Sequence, residues 1–207
     1  MSIVFLQKRA HKAGAQASLA RLLRHPRLQA LSPVLLTGQK GWLTAECDSI
    51  GIRYLIHPFP SSRSLAGRLF QNFLFVARVG RRLAALGIRP RIVHANDHPE
   101  GLLALRLARW CGARSAIFLR SGGMSRRDYE KYRCHAYDLI MAVGEELQQR
   151  VQAWDPQREI LLVPNALYDS EFFPPKPKAL AFPRQWLVIG TPHVQKGWAD
   201  LIDALYQ

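Results

Sequence analysis

Three things are scarce in this 207-residue chain: cysteine, long apolar runs and acidic side chains. Its three cysteines are widely spaced and include no CxxC pair, which indicates free thiols in a reducing compartment. No apolar run is long enough to cross a bilayer. The apolar run near the start is short and soon meets charged residues, unlike a secretory signal. These features predict a cytoplasmic protein.

The shortage of acidic residues leaves the chain strongly basic. It has 29 Lys and Arg against 15 Asp and Glu, a formal net charge of +14. This excess favours an anionic partner, such as nucleic acid, an anionic membrane or a phosphorylated ligand. Because no recognised nucleic-acid motif is present, we expect no nucleic acid as partner and keep a nucleic-acid-binding protein as a minor alternative. Peripheral contact with the inner face of the membrane is a further expectation.

Strand and helix patterns alternate along most of the chain. The strand-like segments are apolar runs without polar alternation, which is typical of a parallel sheet covered on both faces. We therefore predict an α/β fold, a Rossmann-like parallel sheet with helices on both faces. The predicted strands are Ile3–Leu6, Pro33–Thr37, Arg53–Ile56, Arg91–Ala95, Ser115–Leu119, Leu139–Val143 and Ile160–Val163, and the predicted helices are Ala13–His25, Trp42–Ser49, Leu65–Leu86, Pro99–Trp110, Arg126–His135 and Glu145–Trp154.

A proline-rich stretch, FFPPKPKALAFP, interrupts this pattern at residues 172–183. Its prolines favour a stiff, extended linker. A new apolar run then leads into Gly190, followed by a polar loop, Lys196-Gly197 and a helical pattern. The sequence thus predicts a first domain over residues 1–170, a linker over 171–184, and over 185–207 the first strand, loop and helix of a second, incomplete domain.

Ligands of open α/β sheets bind beyond the carboxyl ends of the strands, so the segments after each strand are the candidate sites. After the first strand, Gly14 stands where a loop leads into a helix, a place that favours an anion such as phosphate. The alternative is a glycine required only by the turn. No GxGxxG, GxSxG, HExxH or Walker motif is present, so the fingerprints of those classes are excluded.

The segment HANDHPEG, residues 94–101, follows the fourth strand. Its histidines and carboxylates could ligate a metal, but no second cluster completes such a site, so we expect no metal. Asp97 and His98 are instead candidates for binding a polar substrate or positioning a proton. The alternative is a loop in which Asn96 or Asp97 caps the next helix.

The segment RSGGMSRRDYEKYR, which begins at Arg120, follows the fifth strand and is the best anion site in the sequence. Arg120 stands at the strand end, Gly122 and Gly123 allow the backbone to approach a ligand, and Arg126 opens a basic helical stretch. The alternative for that stretch is a solvated basic helix. The long helix from Leu65 also has two interpretations, a cover for the sheet or a basic amphipathic helix on an anionic membrane.

Five segments in this order resemble GT-B glycosyltransferases of family 4: KAGAQASLARLL, RIVHANDHPEGLLALRLARWCGARSAIFLRSGG, YDLIMAVGEELQQRV, ILLVPNALYDSEFFPP and IGTPHVQKGWADLIDAL. The resemblance implies two facing Rossmann-like domains, with the acceptor on the N-terminal one and most of a nucleotide-sugar donor on the other. It implies a hexosyl transfer that is typically retaining and needs neither metal nor cofactor. The acceptor would be a glycan or a lipid-linked molecule, as in cell-surface polysaccharide biosynthesis.

The resemblance also assigns roles to residues. Gly14 matches the glycine loop near the donor phosphates, and Lys196 with Gly197 matches the lysine that binds the diphosphate. Arg120 stands where the family usually has a histidine. The catalytic candidates are Asp97, His98 and Arg120, and the acceptor-binding candidates are Arg120, Gly122, Gly123 and Arg126.

The family's acidic segment, which holds the donor sugar and ribose, has no counterpart in this chain. We therefore expect little turnover by the chain alone. The alternatives are a non-catalytic truncated remnant, or a subunit that a partner chain with a donor-binding domain completes.

Overall fold

Seven apolar segments form one sheet in which every pairing is parallel. The first, second, fourth and fifth strands lie side by side at its centre and are almost entirely buried, because helices cover both of their faces. The strand order is β3-β2-β1-β4-β5-β6-β7. The strands are β1 Ser2–Gln7, β2 Pro33–Thr37, β3 Arg53–Ile56, β4 Pro90–Ala95, β5 Arg114–Leu119, β6 Leu139–Ala142 and β7 Ile160–Leu162.

The computed structural model describes residues 2–61, 64–167 and 198–205 of the chain. It divides into two compact units, Met1–Glu171 and Phe172–Gln207. The helices of the first unit are α1 Gly14–Arg24, α2 Pro26–Gln29, α3 Trp42–Ser49, α4 Leu65–Ala85, α5 Gly101–Cys111, α6 Arg126–Lys131 and α7 Glu145–Trp154. The described residues of the second unit form the helix α8, Trp198–Leu205.

Two separate apolar clusters fill the two faces of the sheet. On one face, Leu19 of α1 and Leu43 of α3 pack against Phe5 and Leu35 from the strands. On the other face, side chains from α4, α5 and α7 form the larger cluster with Val4, Val93 and Ile117. Successive side chains of a strand point to opposite faces, so β1, β2 and β4 contribute to both clusters, whereas β5 contributes Ile117 and Leu119 to the larger one.

The structure confirms the predicted α/β fold, and each of the seven predicted strands is present with bounds that agree within one residue. The helix predicted over 126–135 is wrong in length. It ends at Lys131 because Arg133 adopts a left-handed conformation, φ 56°, after which a 3₁₀ turn spans Cys134–Ala136. The short helix α2 was not predicted. The linker predicted over 171–184 and the strand predicted at the start of 185–207 lie outside the described residues.

The long helix α4 begins and ends where the sequence predicts. The Ser64 hydroxyl accepts a hydrogen bond from the Gly67 N–H at 3.1 Å, and Gly87, at φ 68°, follows the end of the helix. Its sheet-facing residues Phe75, Val76, Val79 and Leu83 are buried. The sheet-covering interpretation therefore holds for the C-terminal half of α4.

The N-terminal half of α4 departs from that interpretation. Leu69, Phe70 and Phe73 are 50%, 63% and 61% exposed. Among the α4 side chains that the structure describes, those in the apolar core begin at Phe75. The protein therefore presents an uncovered apolar surface at one end of α4.

Two leucines near the end of α4 give a matched test of this burial pattern. Leu83 is 1% exposed in the core and Leu86 is 50% exposed. Leu83→Ala should lower the free energy of unfolding by roughly 2–5 kcal/mol, because it removes buried methyl groups and leaves a cavity. Leu86→Ala should change it by less than about 0.5 kcal/mol. Urea denaturation of both variants checks this, and equal losses would contradict the packing described here.

Candidate functional site

Asn96 joins the loops that follow the central strands β1 and β4. Its side chain is fully buried, and its amide nitrogen donates to Gln7 Oε1 at 2.5 Å and to the Ala15 carbonyl at 3.2 Å. Its backbone N–H donates to the Leu6 carbonyl at 3.1 Å. These bonds tie the end of β4 to the end of β1 and to the first turn of α1. The candidate site is thus anchored at the carboxyl edge of the sheet.

Arg120, directly after β5, is held by four hydrogen bonds. Its Nε donates to the Asn96 carbonyl at 3.1 Å and to Asn96 Oδ1 at 3.2 Å. Its Nη1 donates to Ser18 Oγ and to Asn165 Oδ1, both at 2.9 Å. The guanidinium carbon lies 3.8 Å from the centre of the Phe118 ring. Within the described ranges, no protein group accepts a bond from Nη2.

Burial changes the acidity of this guanidinium without removing its charge. It lowers the pKa of Arg120 to about 10, and the nearby Asp97 carboxylate acts in the opposite direction. At neutral pH the side chain therefore stays cationic. A fixed, partly desolvated cation on an aromatic ring is a suitable partner for an anionic or strongly polar ligand group.

Asp97 organises the loop rather than standing free. Its carboxylate accepts hydrogen bonds from the His98 N–H at 2.8 Å, the Arg120 N–H at 3.1 Å and the Ser121 hydroxyl at 2.6 Å. Burial by itself would raise the pKa of Asp97, but the hydrogen bonds from His98 and Ser121 outweigh it and lower that pKa. Asp97 is therefore ionised near neutral pH and suited to positioning its neighbours.

His98 lies against this carboxylate. Its Nδ1 is 3.1 Å from Asp97 Oδ1, and its ring meets the Tyr132 ring edge-on at 5.3 Å. Donation from Nδ1–H to the carboxylate leaves Nε2 as a proton acceptor, the arrangement in which a carboxylate orients a histidine. The structure thus brings together Asp97, His98 and Arg120, the three residues that the sequence analysis names as catalytic candidates.

The N-terminus of α1 lies one helical turn from this cluster. Gly14 is the first residue of α1, and Ser18, which contacts Arg120, follows four residues later. In the part of the chain that the structure describes, the N-cap residue Ala13 makes no side-chain capping bond, and the first turn of α1 contains no acidic residue. A Cβ atom added at Gly14 would meet nothing within 4 Å. The free backbone N–H groups and the open space suit an anion.

The other candidates lie farther from the cluster or outside it. Gly122 and Gly123 form an exposed turn, and Arg150 donates a hydrogen bond to the Gly122 carbonyl. Arg126 is exposed and paired with Glu130 at 2.9 Å, so it belongs to the solvated face of α6. Lys196 and Gly197 lie outside the described residues.

The other two ionisable residues of the HANDHPEG segment are buried. His94 is 6% exposed; burial and then the positive Arg120 lower its pKa to about 3, so its ring is neutral. Glu100 is 5% exposed and accepts a hydrogen bond from the Lys8 N–H at 3.0 Å. Burial raises the pKa of Glu100 to about 7. In the part of the chain that the structure describes, no three His, Cys, Asp or Glu residues are placed to hold a metal ion.

Arg120 lines a pocket of about 300 Å³ together with Ser18, His94 and Phe118. A separate cleft of about 880 Å³ lies near His98, because Pro99 and Tyr132 are among its lining residues. Its lining includes the apolar side chains Phe59 and Leu69 and the cations Arg127 and Lys131. It runs between the first turns of α4, the start of α5 and α6. Its full lining comprises Lys8, Phe59, Pro60, Leu69, Asn72, Pro99, Leu102, Leu103, Ser125, Arg127, Asp128, Lys131 and Tyr132.

Three residues of the cluster were not among the candidates. Ser18, Asn96 and Asn165 all contact Arg120, although they lie 102, 24 and 45 residues away in sequence. Asn96 was considered only as a helix cap. In the sequence, the one indication that Ser18 belongs to the site is that it is a polar residue on the inner side of α1, the side towards the sheet.

No protein-family model matches this chain, and no characterised protein matches it in sequence. Its structure is similar to that of Anabaena HepE in complex with UDP-glucose, with 14% identity, a TM-score of 0.63, and coverage of 81% of this chain and 44% of that one. A glycosyltransferase from Rickettsia africae matches with 12% identity, a TM-score of 0.55, and coverage of 79% and 42%.

The lipopolysaccharide outer core galactosyltransferase WaaB matches with 16% identity, a TM-score of 0.53, and coverage of 75% and 43%. The chain thus spans less than half the length of these structures. At such low identity the likeness identifies the fold. It is the Rossmann-like fold found in GT-B glycosyltransferases.

The helices were also compared with what a membrane-spanning helix requires. Among residues 2–61, 64–167 and 198–205, no helix combines the length and hydrophobicity that a membrane crossing requires.

The buried Glu100 predicts an unusual pH dependence of stability. Its pKa is raised from 4.5 to about 7, so the folded protein binds more protons than the unfolded chain between these values. The stability contributed by this group is complete below pH 4.5 and falls as pH rises through 7. Glu100→Gln keeps an oxygen for the Lys8 N–H and should raise the free energy of unfolding at pH 8 by up to about 3 kcal/mol.

At pH 4 the same substitution should change stability little. Glu130→Gln, at an exposed position, is the matched control and should have little effect at either pH. Urea denaturation at pH 4 and pH 8 measures all three proteins. If Glu100→Gln gave no more stabilisation at pH 8 than at pH 4, the protonated buried carboxyl would be ruled out.

Proposed function

We propose that this chain is the acceptor-side half of a family 4 GT-B glycosyltransferase. The enzyme would transfer a hexosyl group from a nucleotide-sugar to a glycan or lipid-linked acceptor during the synthesis of cell-surface polysaccharide. The observation that carries this proposal is the fixed cation of Arg120 beside the uncapped N-terminus of α1, at the carboxyl edge of the sheet. Similarity to structures that contain UDP or UDP-glucose supports it.

The proposed donor site begins at Gly14. A nucleotide-sugar carries a diphosphate, and its negative charge grows as the glycosidic bond breaks. Without a metal, that charge must be met by backbone N–H groups, a helix N-terminus and cationic side chains. Gly14 supplies the first two of these, and Lys196 with Gly197 would complete the phosphate contacts.

The proposed acceptor site lies at Arg120, in the pocket of about 300 Å³ that this side chain lines. Nη2 of Arg120 is available to bind an acceptor oxygen, and the turn at Gly122 and Gly123, with Arg126, would extend the contacts. His98 Nε2 is placed to accept a proton from a reacting hydroxyl, while Asp97 holds the ring. Asp97 is accordingly a positioning residue in this proposal.

The proposed enzyme also needs a donor-binding domain. Since this chain spans 44% of HepE, we propose that a second Rossmann-like domain completes the donor site, carried by the same protein or by a partner chain. The 207-residue chain alone should bind the donor weakly and turn over little. The protein would lie in the cytoplasm, in peripheral contact with the inner face of the membrane.

Donor binding at α1 can be tested with two substitutions at one position. Gly14→Asp places a carboxylate in the first turn of α1, which stabilises a helix N-terminus but repels phosphate. Gly14→Ala adds only a methyl group where nothing lies within 4 Å. Ligand-observed NMR with UDP-glucose should show weak binding by the wild type and by Gly14→Ala. Binding by Gly14→Asp should be weaker by about tenfold, which corresponds to about 1.4 kcal/mol.

Thermal denaturation of both variants is the control for folding, and neither should fall below the wild type. Equal UDP-glucose binding by wild type and Gly14→Asp would remove α1 from the donor site. Absence of binding by the wild type would argue for the alternative of a non-catalytic chain.

A further inference from the structure

We propose that the loops after β1, β2 and β3 form a binding pocket for a negatively charged sugar, whose phosphate or carboxylate is held by Lys8, Arg9 and His11. The pocket has a volume of about 510 Å³ and is separate from the one that Arg120 lines. This site deepens the proposed function, on which it rests, because it names the chemical class of the acceptor: an oligosaccharide that carries an acidic or phosphorylated sugar.

Three basic side chains line this pocket without a partner from the protein. Lys8, Arg9 and His11 are exposed, and within the described residues their side chains make no ion pair, hydrogen bond or ring contact. The described residues that line the pocket include no acidic one. Two unpaired cations and a histidine that meet at one cavity favour an anion there.

Acidic side chains are almost absent from this part of the sequence. The first acidic residue of the chain is Glu46, and Asp48 is the only other one in residues 1–96. Both belong to α3, where Glu46 pairs with Arg24 and Asp48 accepts a hydrogen bond from the Tyr54 hydroxyl. The segments that directly follow the first three strands therefore carry positive charge with no acidic residue of their own to offset it.

The backbone that carries the two cations is fixed by its neighbours. The Lys8 N–H donates to the buried Glu100 at 3.0 Å, and the Lys8 carbonyl accepts from the Gly38 N–H at 3.0 Å. The Ala10 carbonyl accepts from the Leu43 N–H at 2.8 Å. A Cβ atom added at Gly38 would lie 2.8 Å from the Lys8 carbonyl oxygen, so the two loops are in close contact. Because this backbone is ordered before a ligand arrives, less entropy is lost on binding.

Phe59 gives the pocket an aromatic wall. Its ring is half-buried and packs on Phe75 of α4 at 4.9 Å, which holds it in place. The negative face of an aromatic ring attracts the slightly positive C–H groups of a sugar. A sugar ring on Phe59 would have its charged substituent near Lys8 and Arg9. The pocket therefore suits a charged sugar better than an inorganic anion alone.

The pocket lies at the same edge of the sheet as Arg120 but at other strands. The order β2-β1-β4-β5 leaves three strand spacings between the ends of β2 and β5, which amounts to about 14 Å. A single sugar does not span this distance. An acceptor whose reacting hydroxyl lies at Arg120 would therefore be an oligosaccharide, with its charged sugar away from the reacting end.

Ligand-observed NMR on the 207-residue chain tests this pocket, with glucose 6-phosphate, glucuronate and neutral glucose as probes. The wild type should bind at least one of the two charged sugars about tenfold more tightly than glucose. Lys8→Gln/Arg9→Gln should bind that sugar about tenfold more weakly than the wild type, because it loses both cations. Lys8→Arg/Arg9→Lys keeps both charges and should bind it within about threefold of the wild type.

A matched control removes the same charge elsewhere. Arg89→Gln/Arg91→Gln changes two exposed cations at the amino end of β4, on the opposite edge of the sheet, and should bind within about twofold of the wild type. Thermal denaturation checks that each variant folds. An equal loss of binding in the two Gln double variants would mean that net charge alone attracts the ligand, and the proposal would fail.

Three further results would overturn the pocket. Inorganic phosphate that binds as tightly as glucose 6-phosphate would indicate an ion site without sugar recognition. Sedimentation with phosphatidylglycerol vesicles, without binding of either soluble charged sugar, would assign the cations to a lipid headgroup. An equal loss of UDP-glucose and charged-sugar binding in Lys8→Gln/Arg9→Gln would assign them to the donor. A wild type that binds the charged sugar but not UDP-glucose would count against the proposed function and leave this pocket supported.

Discussion

The side-chain amide of Asn96 is the interaction on which the candidate site depends. It has no exposed surface, and its amide nitrogen bonds to oxygens of the first strand and of α1. Its two oxygens, one backbone and one side-chain, accept bonds from Arg120. Since a buried amide must satisfy its donors and acceptors within the protein, its partners fix its orientation and it fixes that of Arg120. The position of the cation is therefore set by the packing of the central strands.

The electrostatic surroundings of that cation follow from burial. The nearby ring of His94 is neutral because its pKa is about 3, so it adds no competing positive charge. Asp97 is ionised and supports the charge, whereas Glu100 is close to its midpoint at neutral pH. The cation thus lies near one ionised carboxylate, one neutral imidazole and one carboxyl close to its midpoint, and it is the group of this set suited to binding a phosphate or a polarised hydroxyl.

The sequence was sufficient for the architecture because buried parallel strands are short apolar runs and the helices between them are amphipathic. It also placed Asp97, His98 and Arg120 at the correct edge, since a strand end shows in the pattern. It could not identify Ser18 or Asn165 as partners of Arg120, because the contacts join segments far apart in the chain. It did not show that Leu69, Phe70 and Phe73 would be exposed, since helical periodicity shows which residues share a stripe but not how much of that stripe the neighbouring elements cover.

Asn165 links the segment that follows β7 to the cluster around Arg120. Its side-chain oxygen accepts bonds from both Ser18 and Arg120, and it lies three residues after the last residue of β7. The segment that leaves the sheet is thus bonded to the same cation as the first helix. Displacement of this segment would break two bonds at once and release one edge of the guanidinium. The orientation of the guanidinium therefore depends on the position of the residues that directly follow β7.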